Sequence, residues 1–262
     1  MIPGLALLAA VLGTALLSMA AYAALGRRPD PDASRKGSRF LLGAGDFLVH
    51  WLMWALSPGE RLFLRLGLGP DAFNAAGLAF GLSSGVLIAA GRLELGGAAI
   101  ALGGVCDILD GRLARALKLD SLYGRFIDST LDRFVEVFAL LGFVIYLRHL
   151  PAGPFAAAAA LAGSLLVSYA RARGESVGVV CKEGLMQRGE RLVLTILVCL
   201  ADRPLTAGVG VPEGTAALWV LAAIGLGTFA TAAQRTWWIA RRLRAGDPLR
   251  TRRRGARGSR RA

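Results

Sequence analysis

Four aspartates carry the most informative chemistry in this chain: Asp107, Asp110, Asp128 and Asp132. They sit inside two otherwise apolar stretches, where a carboxylate costs several kcal/mol unless it is paired or metal-bound. Four together call for a compensating cation. All-oxygen ligands suit Mg²⁺, Mn²⁺ or Ca²⁺ and disfavour zinc. Two such ions could share three or four carboxylates, and two-metal sites clamp the attacking and leaving oxygens of a phosphoryl displacement. Cysteine offers no rival site. Cys106, Cys181 and Cys199 lie far apart, form no Cys-x-x-Cys pair and have only two His for company. They read as reduced packing residues, with neither zinc nor a disulfide framework.

Helical spacing brings the four acids together. Asp107 and Asp110 are i, i+3 and share one helix face, while Asp128 and Asp132 are i, i+4 and share a face of the next helix. Asp110 lies about 12 Å from Lys118 along its helix, and Asp128 about 10 Å from Ser121. A tight turn between Lys118 and Ser121 therefore predicts antiparallel neighbours with all four carboxylates at one depth. Gly111 and Ala114 fall on the first acidic face and Gly124 precedes Asp128 by one turn. Such small residues leave room for a ligand, or simply allow close helix packing.

The helices that must carry this cluster belong in a bilayer. The chain has 262 residues, 55% of them hydrophobic, with formal net charge +13. A mean hydropathy of +0.52 is too apolar for an ordinary soluble domain and argues against a soluble nucleic-acid binder. The expected fold class is all-α, a polytopic membrane protein. Residues 3–25 form an uncharged stretch with no basic residue before it, which predicts an uncleaved transmembrane anchor over 1–26. A basic cytoplasmic linker follows over 27–39. Residues 40–68 mix aromatics with His50, Glu60, Arg61 and Arg65, and Ser57-Pro58-Gly59 is expected to break them into helices lying on the membrane face. Six spans follow, near 71–91, 96–118, 121–147, 154–172, 189–203 and 214–240, the fifth cut short at Pro204. Only Arg92, Arg148 and Arg203 of the 31 basic residues fall in outer loops. The positive-inside rule then puts the acids toward the cytoplasm of a multi-pass protein of the inner (cytoplasmic) membrane. The basic tail 241–262 is suited to anionic lipid headgroups, and without interleaved aromatics it is not a nucleic-acid site.

Written out, the acidic stretch reads Asp107-x2-Asp110-Gly111-x2-Ala114-Arg115-x8-Gly124-x3-Asp128-x3-Asp132. It resembles the defining motif of the CDP-alcohol phosphotransferase family, with all eight fixed positions matched over 26 residues. The resemblance covers residues 40–240 and implies a membrane enzyme with a six-helix core and an interfacial N-terminal helix. It implies a phosphotransferase that moves a phosphatidyl group from CDP-diacylglycerol to an acceptor hydroxyl, releasing CMP, and a homodimer. By the resemblance Asp107, Asp110, Asp128 and Asp132 hold Mg²⁺ or Mn²⁺, two ions in all, and Asp132 is the general base. Gly111, Ala114 and Gly124 line the CMP moiety, with Arg115 beside the acids. Pro70-Asp71-x2-Asn74 resembles the family's Pro-Asn/Asp-x-x-Thr stretch, with Asn74 replacing Thr as a CDP-lipid contact.

For the acceptor, several arginines at other cytoplasmic helix ends favour an anionic, phosphorylated polyol over choline or ethanolamine. The stretches around Ser168, Arg171, Arg191 and Arg235 resemble those of the bacterial phosphatidylinositol phosphate synthases, a branch of the family. There the three arginines would grip the phosphate of inositol 1-phosphate. Arg171 stands where Lys is usual, and Gly189 where Pro is usual. A phosphatidylglycerophosphate synthase using glycerol 3-phosphate is the alternative, although its Gly-Lys-x-Lys-Thr stretch is not seen. An inositol-lipid synthase acting on a diether lipid also stays open. A cation transporter would spread its acids along a path across the bilayer, whereas these share one depth.

Overall fold

The computed structural model describes residues 3–25, 45–119, 121–181 and 183–246. The expected linker 27–39 and the tail from 247 onward lie outside them. Among the described residues the chain is all-helical: α1 Pro3–Ala24, α2 Gly45–Arg65, α3 Pro70–Ala89, α4 Leu93–Ala116, α5 Leu122–Tyr146, α6 Gly153–Ser176, α7 Arg188–Val209 and α8 Thr215–Gly246. A single 3₁₀ turn, Leu147–His149, follows α5. Local signals account for several starts. Pro70 opens α3, where its missing N–H is not needed, and Ser121 Oγ accepts from Gly124 N at 3.0 Å to cap α5.

Among the described residues four helices, α3, α6, α7 and α8, are long and apolar enough to cross a membrane. The acid-bearing α4 and α5, at 24 and 25 residues, match them in length. The described apolar stretch of α1, Gly13–Ala24, is shorter than a crossing. The three cysteines are buried free thiols, as expected.

Two expected helix breaks do not occur. α2 runs unbroken through Pro58. Proline removes the donor that would reach the Trp54 carbonyl, and Ser57 Oγ donates to that oxygen at 2.8 Å in its place. α7 likewise continues through Pro204 to Val209. Asp202, two residues before that proline, is fully buried under the start of α8. Its Oδ2 accepts from Gly214 N at 2.7 Å and its Oδ1 from Ala217 N at 2.8 Å. A carboxylate from a neighbouring helix thus satisfies α8's first amides and complements its dipole. Tyr146 donates to the same carboxylate at 3.4 Å, and Arg203 reaches Glu94 at 3.1 Å and the Gly91 carbonyl at 2.6 Å. This knot pins α4, α5, α7 and α8 at one end of the bundle.

The relation of α4 to α5 also differs from expectation. They pack only marginally on one another, and each packs extensively on α3. Glycines make this possible. A Cβ on Gly81 would overlap Val135, and one on Gly85 the Phe138 carbonyl. Gly77 faces Cys106, where a Cβ would come within 3.4 Å. A narrow α3 therefore wedges between the two acidic helices, which meet chiefly where their carboxylates converge.

α2 lies across α1 and α4. Trp51 donates to Ser18 Oγ at 3.1 Å, and Tyr22 packs on Phe47 and Trp54. Arg112 of α4 pairs with Glu60 at 2.5 Å.

Candidate functional site

α4 supplies Asp107 and Asp110, one turn apart, and α5 supplies Asp128 and Asp132 in the same way. One carboxylate oxygen from each of Asp107, Asp110 and Asp128 lies within 4.8 Å of the others. Ligand oxygens around one Mg²⁺, Mn²⁺ or Ca²⁺ stand roughly 2.0–2.6 Å from the ion. Three oxygens this close can therefore all reach a single ion. The donor set is purely carboxylate, so these residues fit a hard divalent cation and not a thiolate-seeking metal.

Asp132 is outside this group of three, although its carboxyl lies within hydrogen-bonding reach of Asp107. It forms a close ion pair with Arg188 at the start of α7, and Arg188 Nη1 also donates to Asp107 Oδ2 at 3.1 Å. Arg188 thus bridges the two acidic helices. The spacing of Asp128 and Asp132 places them on one face but does not show which partner reaches each. In the sequence Arg188 belongs to the run Arg188-Gly189-Glu190-Arg191, one of the arginine-bearing helix ends. Its signal is that it lies one turn before Arg191, on the same face of α7.

The next turn repeats the arrangement. Glu136, i+4 from Asp132, holds Arg191 through two bonds, at 2.7 and 3.2 Å. α5 and α7 scarcely meet through their backbones, so two arginine rungs span the space between them. Glu136 had no separate sequence signal beyond continuing the Asp128–Asp132 row.

A cleft runs beside the acids, lined by Asn74, Gly77, Gly103, Asp107, Asp110, Asp128, Asp132 and Arg188. Asn74 is the one expected nucleotide contact on this lining. Gly111, Ala114, Arg115 and Gly124 fall between the cleft and the turn that joins α4 to α5. Arg115 folds back over Gly111, whose added Cβ would meet its guanidinium at 3.3 Å. Gly124 sits under the Ser121 cap, and a Cβ there would come within 3.3 Å of Ser121 Oγ.

The expected acceptor residues have partners of their own. Ser168 Oγ donates to Ser164 O at 3.1 Å. Arg171 is exposed and pairs with Glu175 at 2.8 Å. Arg191 is buried on Glu136 and on the Met186 carbonyl. Arg235 is buried too, donating to Glu183 O at 2.8 Å and Val167 O at 3.0 Å, within electrostatic range of Arg171 and Arg191. The structure gathers the three arginines into one neighbourhood and fixes two of them in place.

The chain is similar to known proteins. Residues 68–228 match the family model described as CDP-alcohol phosphatidyltransferase. An archaetidylinositol phosphate synthase of Methanothermobacter thermautotrophicus is 33% identical over 184 residues, covering 69% of this chain and 87% of the relative. A phosphatidylinositol phosphate synthase of Corynebacterium glutamicum is 34% identical over 188 residues, covering 69% and 81%. Among solved structures, the Mycobacterium tuberculosis phosphatidylinositol phosphate synthase with CDP-DAG bound superposes with a TM-score of 0.61 at 25% identity, covering 70% of this chain and 92% of that one. The same enzyme in complex with manganese and citrate gives 0.62 at 26% identity, covering 70% and 87%.

Proposed function

The chain belongs to the CDP-alcohol phosphatidyltransferase family, and we propose that it transfers a phosphatidyl group from CDP-diacylglycerol to a hydroxyl of inositol 1-phosphate, releasing CMP. The observation that carries this reading is the meeting of Asp107, Asp110 and Asp128 beside a cleft that Asn74 also lines. The acceptor reading draws on relatives named phosphatidylinositol phosphate synthase and on the arginines gathered near Arg235.

Two divalent ions, Mg²⁺ or Mn²⁺, are held by Asp107, Asp110, Asp128 and Asp132, and when bound they draw negative charge off the diphosphate. Asp132 accepts the proton of the acceptor hydroxyl. That oxygen bonds to the lipid-side phosphorus while the bond from this phosphorus to the bridging oxygen breaks, and CMP leaves with the electron pair. Asn74, Gly111, Ala114, Arg115 and Gly124 hold the CDP moiety. Ser168, Arg171, Arg191 and Arg235 bind the acceptor phosphate. Glu136 and the backbone carbonyls around Arg235 hold those guanidinium groups ready, which lowers the ordering cost of binding.

The six helices α3 to α8 form the membrane core within domain 40–240. α2 is the interfacial helix, residues 1–26 are the anchor, 27–39 the linker and 241–262 a tail at anionic lipid. The protein is a homodimer of the inner (cytoplasmic) membrane, its site facing the cytoplasm. Purified protein with Mn²⁺ and radiolabelled CDP-diacylglycerol, offered one acceptor at a time, tests the reading. CMP release with inositol 1-phosphate is expected. Release with glycerol 3-phosphate alone overturns the acceptor, and release with none overturns the transfer. A marked preference for a CDP-linked diether would change the lipid donor.

A further inference from the structure

We infer that Arg188 is a built-in competitor for one of the two divalent ions: it takes carboxylate oxygens of Asp107 and Asp132, weakens one ion-binding step, and turns toward the anionic ligands when that ion binds. This rests on the two-ion reading above. Three observations carry it. The carboxylates are not equivalent, since Asp107, Asp110 and Asp128 form one close group while Asp132 is engaged by Arg188. The guanidinium links Asp107 to Asp132, and Asp132 is the carboxylate left over for an ion outside the close group. A guanidinium hydrogen-bonded to those oxygens and a divalent cation drawn to the same carboxylates repel one another and divide the same negative charge, so each weakens the other's binding.

Arg188 is also less enclosed than Arg191. Its side chain is 32% exposed, against 4% for Arg191. Arg191 stays locked to Glu136 one turn further on, so the second rung keeps α5 and α7 joined while the first opens. Arg188 is the first residue of its helix, where fewer backbone bonds constrain it. A displaced Arg188 leaves the site with one more mobile positive charge beside the cleft, the place where a diphosphate or acceptor phosphate needs it.

The test is Mn²⁺ titration of the purified full chain, reading free Mn²⁺ by electron paramagnetic resonance. The natural chain binds two ions with separated affinities. Arg188→Gln tightens the weaker step by about tenfold, because hydrogen bonds to charged groups no longer oppose it, and changes the tighter step by less than about twofold. Arg188→Lys keeps the charge without the fork and tightens the weaker step to an intermediate degree. Arg133→Gln removes an equal charge from a side chain that reaches Asp132 only at 4.0 Å, and leaves the weaker step nearly unchanged. Equal tightening in Arg133→Gln would mean a general charge effect and overturn the inference. So would an unchanged or weakened second step in Arg188→Gln. A natural chain that binds only one ion, or none, removes the two-ion reading and the inference with it.

Discussion

The two ends of this bundle use the same residue types for opposite purposes. At one end Asp202 is wholly buried, and both its oxygens are taken by amides at the start of α8. Arg203 beside it is fixed by Glu94 and a backbone carbonyl. About 21 Å away along α7, Asp107, Asp110 and Asp128 instead turn oxygens toward each other along an open cleft. The first cluster answers its own charge and so holds the helices together. The second gathers like charges, which is unfavourable unless a cation joins them. Bundle stability belongs to the Asp202 end, and chemistry to the end that stability has left unsettled.

Substitutions should separate the two ends, and the largest effect belongs to the cluster. Asp110→Asn should lower CMP release roughly a thousandfold, about 4 kcal/mol of lost transition-state stabilisation, while the melting temperature holds or rises as like-charge repulsion is relieved. A large loss of stability instead would make the cluster structural and erase the contrast. Asp202→Ala should do the reverse and cost about 3 kcal/mol of stability, since it strands buried amides. Thermal unfolding in detergent reads this, and Asp202→Asn should cost less.

Ion withdrawal sharpens the same contrast. Chelation should abolish turnover reversibly. Mn²⁺ at about a hundredfold its dissociation constant should stabilise the natural chain by roughly 2.7 kcal/mol. Asp110→Asn should lose most of that gain and Asp202→Asn should keep it. A smaller effect is expected between the ends. Glu136→Gln should raise the acceptor KM about tenfold through a loosened Arg191, with kcat less affected. The smallest is local: Ser57→Ala should cost about 1 kcal/mol by leaving the Trp54 carbonyl without its hydroxyl donor.

Helical periodicity made the site legible because it fixes which residues share a face. That sufficed for Asp107 with Asp110 and for Asp128 with Asp132. It is silent about what a face meets. The α3 wedge rests on Gly77, Gly81 and Gly85, and glycines read alike whether they serve a close neighbour or a ligand. The breaks expected at Pro58 and Pro204 fail for a related reason. Proline's missing donor is local, whereas at Pro58 the remedy is a hydroxyl one residue away, and around Pro204 the helix is held by the contacts of Asp202 and Arg203 with other helices. The partners of Arg188 and Glu136 are not legible in the sequence, because helical spacing does not say which carboxylate an arginine on another helix meets, and only the folded chain shows them spanning from α7 to α5.

The most direct measurement is anomalous diffraction from crystals grown with Mn²⁺. The account predicts a peak among the oxygens of Asp107, Asp110 and Asp128, and none at Asp202 or Glu94. A featureless map at the three aspartates, or a peak at the opposite end of the bundle, would contradict it.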